Sequence, residues 1–203
     1  MFLLFDAFLD LPYVATQRHK IEVIMKFAQV KKGETVVDLG SGDGRLLFAC
    51  ARKGARAIGY EINPLLIFLT LLHAKLKGFS DNIVVIRKNL WKADLKIADV
   101  IFVYAKRKTM PKFEDFVYKN AKKGTRLVVN TNPFPNKKPL KEEDKIFLYV
   151  IIDILVMIRI TRSIISCYGN LQLNIVFRET ALHTESTFPE TTEILRKGAN
   201  ANQ

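Results

Sequence analysis

The stretch Asp38-Leu-Gly-Ser-Gly-Asp-Gly-Arg45 decides the fold of this chain. It follows a short β-branched run at residues 35–39 and precedes an apolar segment with helical spacing, so it turns a strand into a helix. Its glycines let the backbone approach a ligand at positions where any side chain would clash. We therefore predict a ligand-binding loop at the carboxyl end of the first strand.

Predicted strands and helices alternate on both sides of this loop. The helices are predicted at residues 16–29, 44–54, 64–77 and 112–121, and the strands at residues 35–39, 57–61, 82–86, 98–104, 125–129 and 145–152. Residues 132–144 are rich in Pro and Lys and are predicted to form a loop. Such alternation builds parallel βαβ units. The predicted fold class is therefore α/β: a Rossmann-like, doubly wound, mostly parallel sheet with helices on both faces.

The spacing of the glycines separates two classes of cofactor. A dinucleotide fold needs G-x-G-x-x-G so that a pyrophosphate can sit at the helix N-terminus, whereas Gly40, Gly42 and Gly44 give G-x-G-x-G. Asp38, just before these glycines, suits a ligand that carries a cationic amino acid group. Glu61 ends the second predicted strand, where a carboxylate can accept hydrogen bonds from two ribose hydroxyls. Taken alone, the glycine-rich turn is an ordinary turn and Glu61 is a solvated carboxylate. Taken together and in this order along the chain, the features predict S-adenosylmethionine as the cofactor.

With these motifs, residues 12–150 resemble the class I, seven-β-strand S-adenosylmethionine-dependent methyltransferases. The resemblance implies a seven-stranded sheet, with Asp38 and Gly40 facing the methionine part of the cofactor and Glu61 facing the ribose. It also implies that Asn89-Leu90-Trp91 flanks the adenine; many relatives have Asp at position 89, and an Asn amide can still donate and accept there. The implied cofactor-binding residues are Asp38, Gly40, Ser41, Gly42, Gly44, Glu61, Asn89 and Leu90.

Five motifs support a narrower resemblance. They are similar to motifs of the small prokaryotic and mitochondrial protein-lysine methyltransferases that act on the ATP synthase c subunit and the adenine nucleotide translocator. Two departures stand out: Ala15 lies where relatives often have Pro, and the membrane-targeting segment of the mitochondrial forms is reduced to residues 1–11. The motifs are Pro12-Tyr-Val-Ala-Thr16, the loop from Asp38 to Arg45, Gly59-Tyr-Glu-Ile-Asn-Pro64, Asn89-Leu-Trp-Lys92 and Asn132-Pro-Phe-Pro135.

The leading functional hypothesis is protein-lysine N-methylation. Tyr104 and Tyr13 are the candidates for the catalytic pocket that desolvates the incoming amine, although either is equally an aromatic core or rim residue. Asn132-Pro-Phe-Pro135 follows the fifth strand rather than the fourth, unlike the N-P-P-[FY] signature of adenine methyltransferases, so nucleic acid is the less favoured substrate. A small-molecule methyltransferase and a catalytically silent S-adenosylmethionine-binding module with a basic interaction surface also stay open.

Composition indicates a globular chain with a basic surface. Of 203 residues, 49% are hydrophobic and 26% are charged, which argues against bulk disorder. The net charge of +12, concentrated before residue 145, favours an acidic partner such as nucleic acid, an anionic membrane or an acidic or membrane-associated protein substrate, unless it serves only solubility. The histidines are dispersed, so no metal site is predicted, and oligomeric state has no sequence signal. The dispersed histidines are His19, His73 and His183.

Three segments are predicted along the chain: an apolar N-terminal segment at residues 1–15, the methyltransferase domain at residues 16–150, and C-terminal strands with a loose polar tail at residues 151–203. The first segment has no basic start or cleavage site, so it is a poor signal peptide, and it is too short to span a bilayer. Two cysteines, Cys50 and Cys167, fit a reducing compartment. The expected location is the cytoplasm, with a peripheral position at the inner membrane as the alternative.

Overall fold

The computed structural model of the chain describes residues 16–152. All predicted helices and strands within this range are confirmed to within a few residues. The helices are α1 (Arg18–Ala28), α2 (Arg45–Ala51), α3 (Pro64–Leu76) and α4 (Met110–Asn120). The strands are β1 (Thr35–Leu39), β2 (Arg56–Glu61), β3 (Ile83–Arg87), β4 (Val100–Tyr104), β5 (Arg126–Asn130), β6 (Lys141–Glu143) and β7 (Ile146–Val150).

These strands form one seven-stranded sheet in the order β3-β2-β1-β4-β5-β7-β6. Neighbouring strands from β3 to β5 are parallel, whereas β7 is antiparallel to both β5 and β6. The predicted Rossmann-like, mostly parallel sheet is therefore confirmed. Between β1 and β4 the strand order reverses, and such a switch point opens a crevice at the carboxyl ends of the strands.

One sequence prediction was wrong: residues 132–144 are not all loop, because β6 lies among them. Asp144 and Lys145 join β6 to β7 as a two-residue turn, with φ of 50° and 57°. This is the backbone of a hairpin turn that usually carries Asn-Gly, so the turn had no sequence signal. All three β6 residues are exposed and charged, which suits a sheet edge and hides the strand pattern. The further strands predicted after residue 154 lie outside the described residues.

Alternate side chains of the strands enter two separate cores. In β4, Ile101 and Val103 face one core with α4, and Val100 and Phe102 face the other with α1 and α2. This period of two places helices on both faces of the sheet, as predicted. Cys50 of α2 is fully buried in the second of these cores. Within residues 16–152, no helix combines the length and apolar character that a membrane span requires.

Candidate cofactor and substrate site

A cavity of about 290 Å³ opens at the switch point between β1 and β4. Its volume is near the lower end of the range for small-molecule sites. The residues at its wall come from the carboxyl ends of the parallel strands and from the loops that follow them. They include Asp38, Gly40, Ser41, Gly42, Glu61, Asn89, Leu90, Trp91, Tyr104, Asn130 and Asn132. The cavity therefore collects most of the predicted site residues at one place.

The backbone amides of the glycine loop donate hydrogen bonds to acceptors within the protein. The amides of Gly40 and Ser41 donate to the Tyr60 carbonyl at 3.0 and 3.1 Å, and the Gly42 amide donates to Glu61 Oε2 at 2.9 Å. The Gly44 amide donates to the Ser41 carbonyl at 2.9 Å. A phosphate at a helix N-terminus needs such amides to be free. The loop geometry thus agrees with the prediction that the ligand is not a pyrophosphate.

Asp38 places a buried carboxyl group at the floor of the cavity. Asp38 is 7% exposed. Burial raises the pKa of its carboxyl group from the usual value to about 7, and the nearby carboxylates of Glu61 and Asp43 contribute to this rise. Among the described residues, no group donates a hydrogen bond to this carboxylate. A cationic ligand would restore the ionised form, so this end of the cavity fits the ammonium and sulfonium groups of S-adenosylmethionine.

Glu61 is held rigidly at the end of β2. Its Oε1 accepts the amides of Ile62 and Asn63 at 2.8 and 2.9 Å, and its Oε2 accepts the Gly42 amide at 2.9 Å. An ionised carboxylate has about four acceptor sites, so Glu61 keeps capacity for a ribose hydroxyl. These contacts also connect the glycine loop to the start of α3, and the position supports the predicted ribose role.

The predicted adenine edge is formed by a single 3₁₀ turn, Leu90–Lys92. Asn89 caps this turn, because its Oδ1 accepts the Trp91 amide at 3.1 Å. The side-chain amino group of Asn89 can still donate to a ligand, and its Oδ1 keeps a second acceptor position. Trp91 packs on Phe113 with ring centroids 4.4 Å apart.

The opposite end of the cavity carries polar side chains from the ends of β4 and β5 and from the loops that follow them, Lys106 among them. Tyr104 and Asn130 are paired in register across these strands, and both line the cavity. Asn132 donates its side-chain amino group to the Ala105 carbonyl at 2.8 Å. Because a carbonyl can only accept, this bond fixes the amide orientation and turns Asn132 Oδ1 into an available acceptor. Tyr13, the second predicted pocket residue, lies outside the described residues.

The loop after β5 is pinned at several points. Thr131 has φ of 75°, an unusual conformation for a β-branched residue, and its amide donates to the Lys145 carbonyl at 2.7 Å. The buried Phe134 donates its amide to the Tyr149 hydroxyl at 3.0 Å. Strain of this kind persists where surrounding contacts fix it and often marks a functional site. The contacts of Thr131 and Phe134 thus hold the Asn132-Pro-Phe-Pro135 segment in place beside the cavity, whose wall includes Asn132.

Two features of the site differ from the sequence predictions. Asn130 was missed; it is 6% exposed, and its only sequence signal was a polar residue at the end of the apolar run of β5. Ser41 lines the cavity, but its Oγ packs beside Gly59 of β2 and has no hydrogen-bond partner among the described atoms. The Ser41 hydroxyl therefore packs against β2, and its role in cofactor binding stays a prediction.

Gly59 of β2 allows the glycine loop to lie against the sheet. A Cβ at this position would come within 2.7 Å of Ser41 Cβ and 2.8 Å of Leu47 Cδ1. We expect Gly59→Ala to lower the free energy of unfolding by about 1–3 kcal/mol, because the glycine loop and α2 must both shift away from β2. Thermal unfolding followed by circular dichroism measures this change. Equal stability of Gly59→Ala and the native chain would contradict this close packing.

The sheet topology and the acidic, glycine-lined cavity at its switch point define a Rossmann-like methyltransferase. Residues 38–141 match the family described as the ANTKMT methyltransferase domain, and the chain belongs to this family. It is 35% identical to the adenine nucleotide translocase lysine N-methyltransferase of Mus musculus, over 65% of this chain and 58% of that protein. It is 30% identical to the lysine N-methyltransferase of the ATP synthase c subunit from Xenopus laevis, over 64% of this chain and 58% of that protein.

A solved structure has a similar fold. The RNA methyltransferase from Salinibacter ruber in complex with S-adenosyl-L-homocysteine superposes with a TM-score of 0.66 and 26% identity, over 69% of this chain and 95% of that chain. These matches confirm the predicted methyltransferase class and the narrower family resemblance. The chain spans 58% of the length of the two lysine methyltransferases it matches.

Proposed function

We propose that the chain is an S-adenosylmethionine-dependent protein-lysine N-methyltransferase. The observation that carries the proposal is that the two ends of the cavity differ chemically. The carboxylates of Asp38 and Glu61 lie at the ends of β1 and β2, whereas Tyr104, Lys106 and Asn132 lie at the end of β4 and in the loops after β4 and β5. The first end suits a cationic nucleoside cofactor, and the second suits an amine that must be neutral to react. The two lysine methyltransferases described above support the same substrate class.

S-adenosylmethionine, when bound, supplies a methyl group on a positively charged sulfur that leaves as a neutral thioether. The residues that would hold it are Asp38 at the amino acid part, Glu61 at the ribose, and Asn89 with Leu90 at the adenine. Asp38 favours the ligand by charge, and Glu61 by a hydrogen bond whose geometry three backbone amides fix in advance. Prepositioned contacts of this kind lower the entropy that binding would otherwise cost.

The substrate lysine has to lose a proton before its nitrogen can attack. No histidine lines the described part of the cavity wall, and we propose that the lysine proton is lost to water. Lys106 lines the wall on the β4 side, and a second positive charge nearby lowers the pKa of an incoming ammonium. Asn132 Oδ1 and the Tyr104 hydroxyl then accept N–H bonds from the neutral amine and aim its lone pair. Positioning, rather than proton transfer, supplies most of the rate in this scheme.

Asn132→Ala tests the aiming role. We expect kcat to fall about tenfold with little change in cofactor affinity, because the lost acceptor contacts only the amine. Asn136→Ala, in the same loop but absent from the cavity wall, is the matched control and should leave kcat unchanged. Single-turnover methyl transfer and calorimetric titration of the cofactor separate the two effects. If Asn132→Ala lowers cofactor affinity and leaves kcat intact, the amide belongs to the cofactor site instead.

RNA is the second candidate substrate, because the Salinibacter structure is of an RNA methyltransferase and the net charge of this chain is +12. The proposed protein substrate is acidic or membrane-associated, which suits the same charge. Cell fractions of protein, RNA and small metabolites, each incubated with the chain and methyl-tritiated cofactor, distinguish these classes. Label recovered as methyl-lysine in protein supports the proposal. Label only in RNA or only in metabolites would contradict it, and cofactor binding without transfer to any fraction would indicate a silent binding module.

A further inference from the structure

Helix α3 presents its large apolar side chains to solvent. Six of the ten exposed large hydrophobic residues in the described part of the chain lie on this one helix. Phe68 is 61% exposed and Leu76 is 74% exposed. Helical spacing places the six within an arc of about 160° of the helix surface, and Lys75 lies in the same arc near its C-terminal end. We call this arc the α3 face: Leu65, Phe68, Leu69, Leu71, Leu72 and Leu76.

Helix α3 is apolar around most of its circumference and buries little of that apolar surface. Its buried residues are only Thr70 and Ala74, which are small. A helix on the surface of a soluble protein normally turns its large apolar residues toward the core and its polar residues outward. Contiguous exposed apolar surface of this kind is typical of an interaction site. The α3 face therefore needs a partner that the sheet does not provide.

The charges around α3 indicate the chemistry of that partner. Residues 62–80 contain Lys75 and Lys77 but no Asp or Glu. Lysines that flank an apolar helix surface pair with anionic lipid headgroups while the apolar side chains enter the acyl boundary. A second copy of this chain, with its net charge of +12, would bring like charges together. The pattern thus favours an anionic bilayer surface over a second copy.

The position of α3 joins this surface to the cofactor cavity. Asn63, which caps the helix, and Leu66 both line the cavity, and Thr70 Oγ1 donates to the Gly42 carbonyl at 3.4 Å. Helix α3 packs on β3, an edge strand of the sheet that the described residues form. A helix of this length extends roughly 20 Å. Docking along it would hold the cavity mouth within that distance of a lipid surface.

We propose that the α3 face is a peripheral docking surface for a bilayer with anionic headgroups. The apolar side chains insert at the acyl boundary, and Lys75, near the C-terminal end of the helix, extends its ammonium group to the headgroups. This inference rests on α3 itself and holds whether or not the chain methylates lysine.

Vesicle flotation with the full chain tests the proposal. The probes are vesicles of phosphatidylcholine alone and of phosphatidylcholine mixed with phosphatidylglycerol. We expect the native chain to float with the mixed vesicles, and the double variant Phe68→Glu/Leu72→Glu to bind them at least tenfold more weakly. Ile97→Glu/Leu140→Glu removes two comparably exposed apolar residues elsewhere and adds the same charge, so it should bind like the native chain.

A charge variant tests the lipid headgroup contribution separately. Lys75→Ser should weaken binding to mixed vesicles about fivefold and leave binding to phosphatidylcholine unchanged, and Lys96→Ser, at an exposed lysine outside α3, is its control. Calorimetric binding of S-adenosylmethionine by each variant confirms that it is folded. Three results would overturn the proposal: no flotation of the native chain, equal flotation of the native and double-variant chains, or a dimer in sedimentation that Phe68→Glu/Leu72→Glu dissolves without any vesicle binding.

Discussion

Asp38→Asn is expected to weaken S-adenosylmethionine binding by about tenfold to a hundredfold near pH 8. The side chain keeps its size and loses the negative charge that attracts the cationic ligand, in a buried position where screening is weak. Calorimetric titration measures the change. Asp81→Asn makes the same charge change at an exposed position outside the cavity wall and should leave the affinity unchanged.

The pH dependence of the same titration adds a second test. In the free protein the pKa of Asp38 is raised to about 7, so the carboxyl group is largely protonated below that value. Cofactor affinity of the native chain should therefore fall roughly tenfold between about pH 8 and about pH 6, relative to the affinity of Asp38→Asn. A pH profile identical in the two proteins would show that the Asp38 carboxylate does not contact the ligand's charge.

The variant Asp38→Asn, which should bind the cofactor more weakly, should also be more stable than the native chain at high pH. Its folded-state pKa lies above its unfolded value, so its favourable contribution is complete below about pH 4 and is lost as pH rises through about 7. Above that pH the free protein carries a buried charge that Asn would not have. We expect Asp38→Asn to unfold with a free energy about 2–4 kcal/mol higher than the native chain near pH 8. Equal stability at that pH would show that water or a counter-charge already solvates the carboxylate.

Glu61→Ala is expected to have the largest combined effect on stability and binding. It removes the acceptor for the amides of Gly42, Ile62 and Asn63, of which the Gly42 amide belongs to a buried loop. We expect unfolding to become easier by about 2–4 kcal/mol, because at least one buried donor loses its partner. Cofactor affinity should fall by at least a comparable amount, since the ribose contact and the loop geometry are lost together.

Two further variants serve as comparisons for Glu61→Ala: Glu61→Gln as a milder change and Glu142→Ala as a control. The Gln oxygen can still accept the Ile62 and Asn63 amides, but its amino group would face the Gly42 donor, so intermediate stability and affinity are expected. Glu142, an exposed carboxylate of β6, should be replaceable by Ala with no effect on binding. Chemical denaturation and titration of all three variants provide the comparison. Full affinity in Glu61→Ala would remove Glu61 from the cofactor site.

The fold was predictable because its signals are local. The alternation of β-branched runs with helical segments identifies β1 to β5, and the glycine spacing identifies the switch-point loop. Strand β6 escaped prediction because an exposed edge strand with three charged residues has no apolar alternation, and its turn uses Asp144 and Lys145 in place of the usual glycine.

The cofactor half of the site was more predictable than the substrate half, for a physical reason. Asp38 and Glu61 end strands next to each other in the sheet, so their sequence positions alone bring them together. Asn130 and Asn132 flank Thr131, whose backbone is strained. Asn132 is oriented by a hydrogen bond to Ala105, a residue that is distant in sequence. Contacts of that kind depend on tertiary packing and leave no periodic pattern. The exposure of the α3 face has no sequence signal for the same reason, since burial cannot be judged from one segment.

Calorimetric titration of the chain with S-adenosylmethionine, S-adenosylhomocysteine and NAD tests the central claim most directly. We predict that both adenosyl ligands bind and NAD does not, because the loop amides of Gly40, Ser41 and Gly42 are already bonded within the protein and leave no cradle for a pyrophosphate. Binding of NAD without binding of either adenosyl ligand would contradict the assignment of the cavity and the function proposed from it.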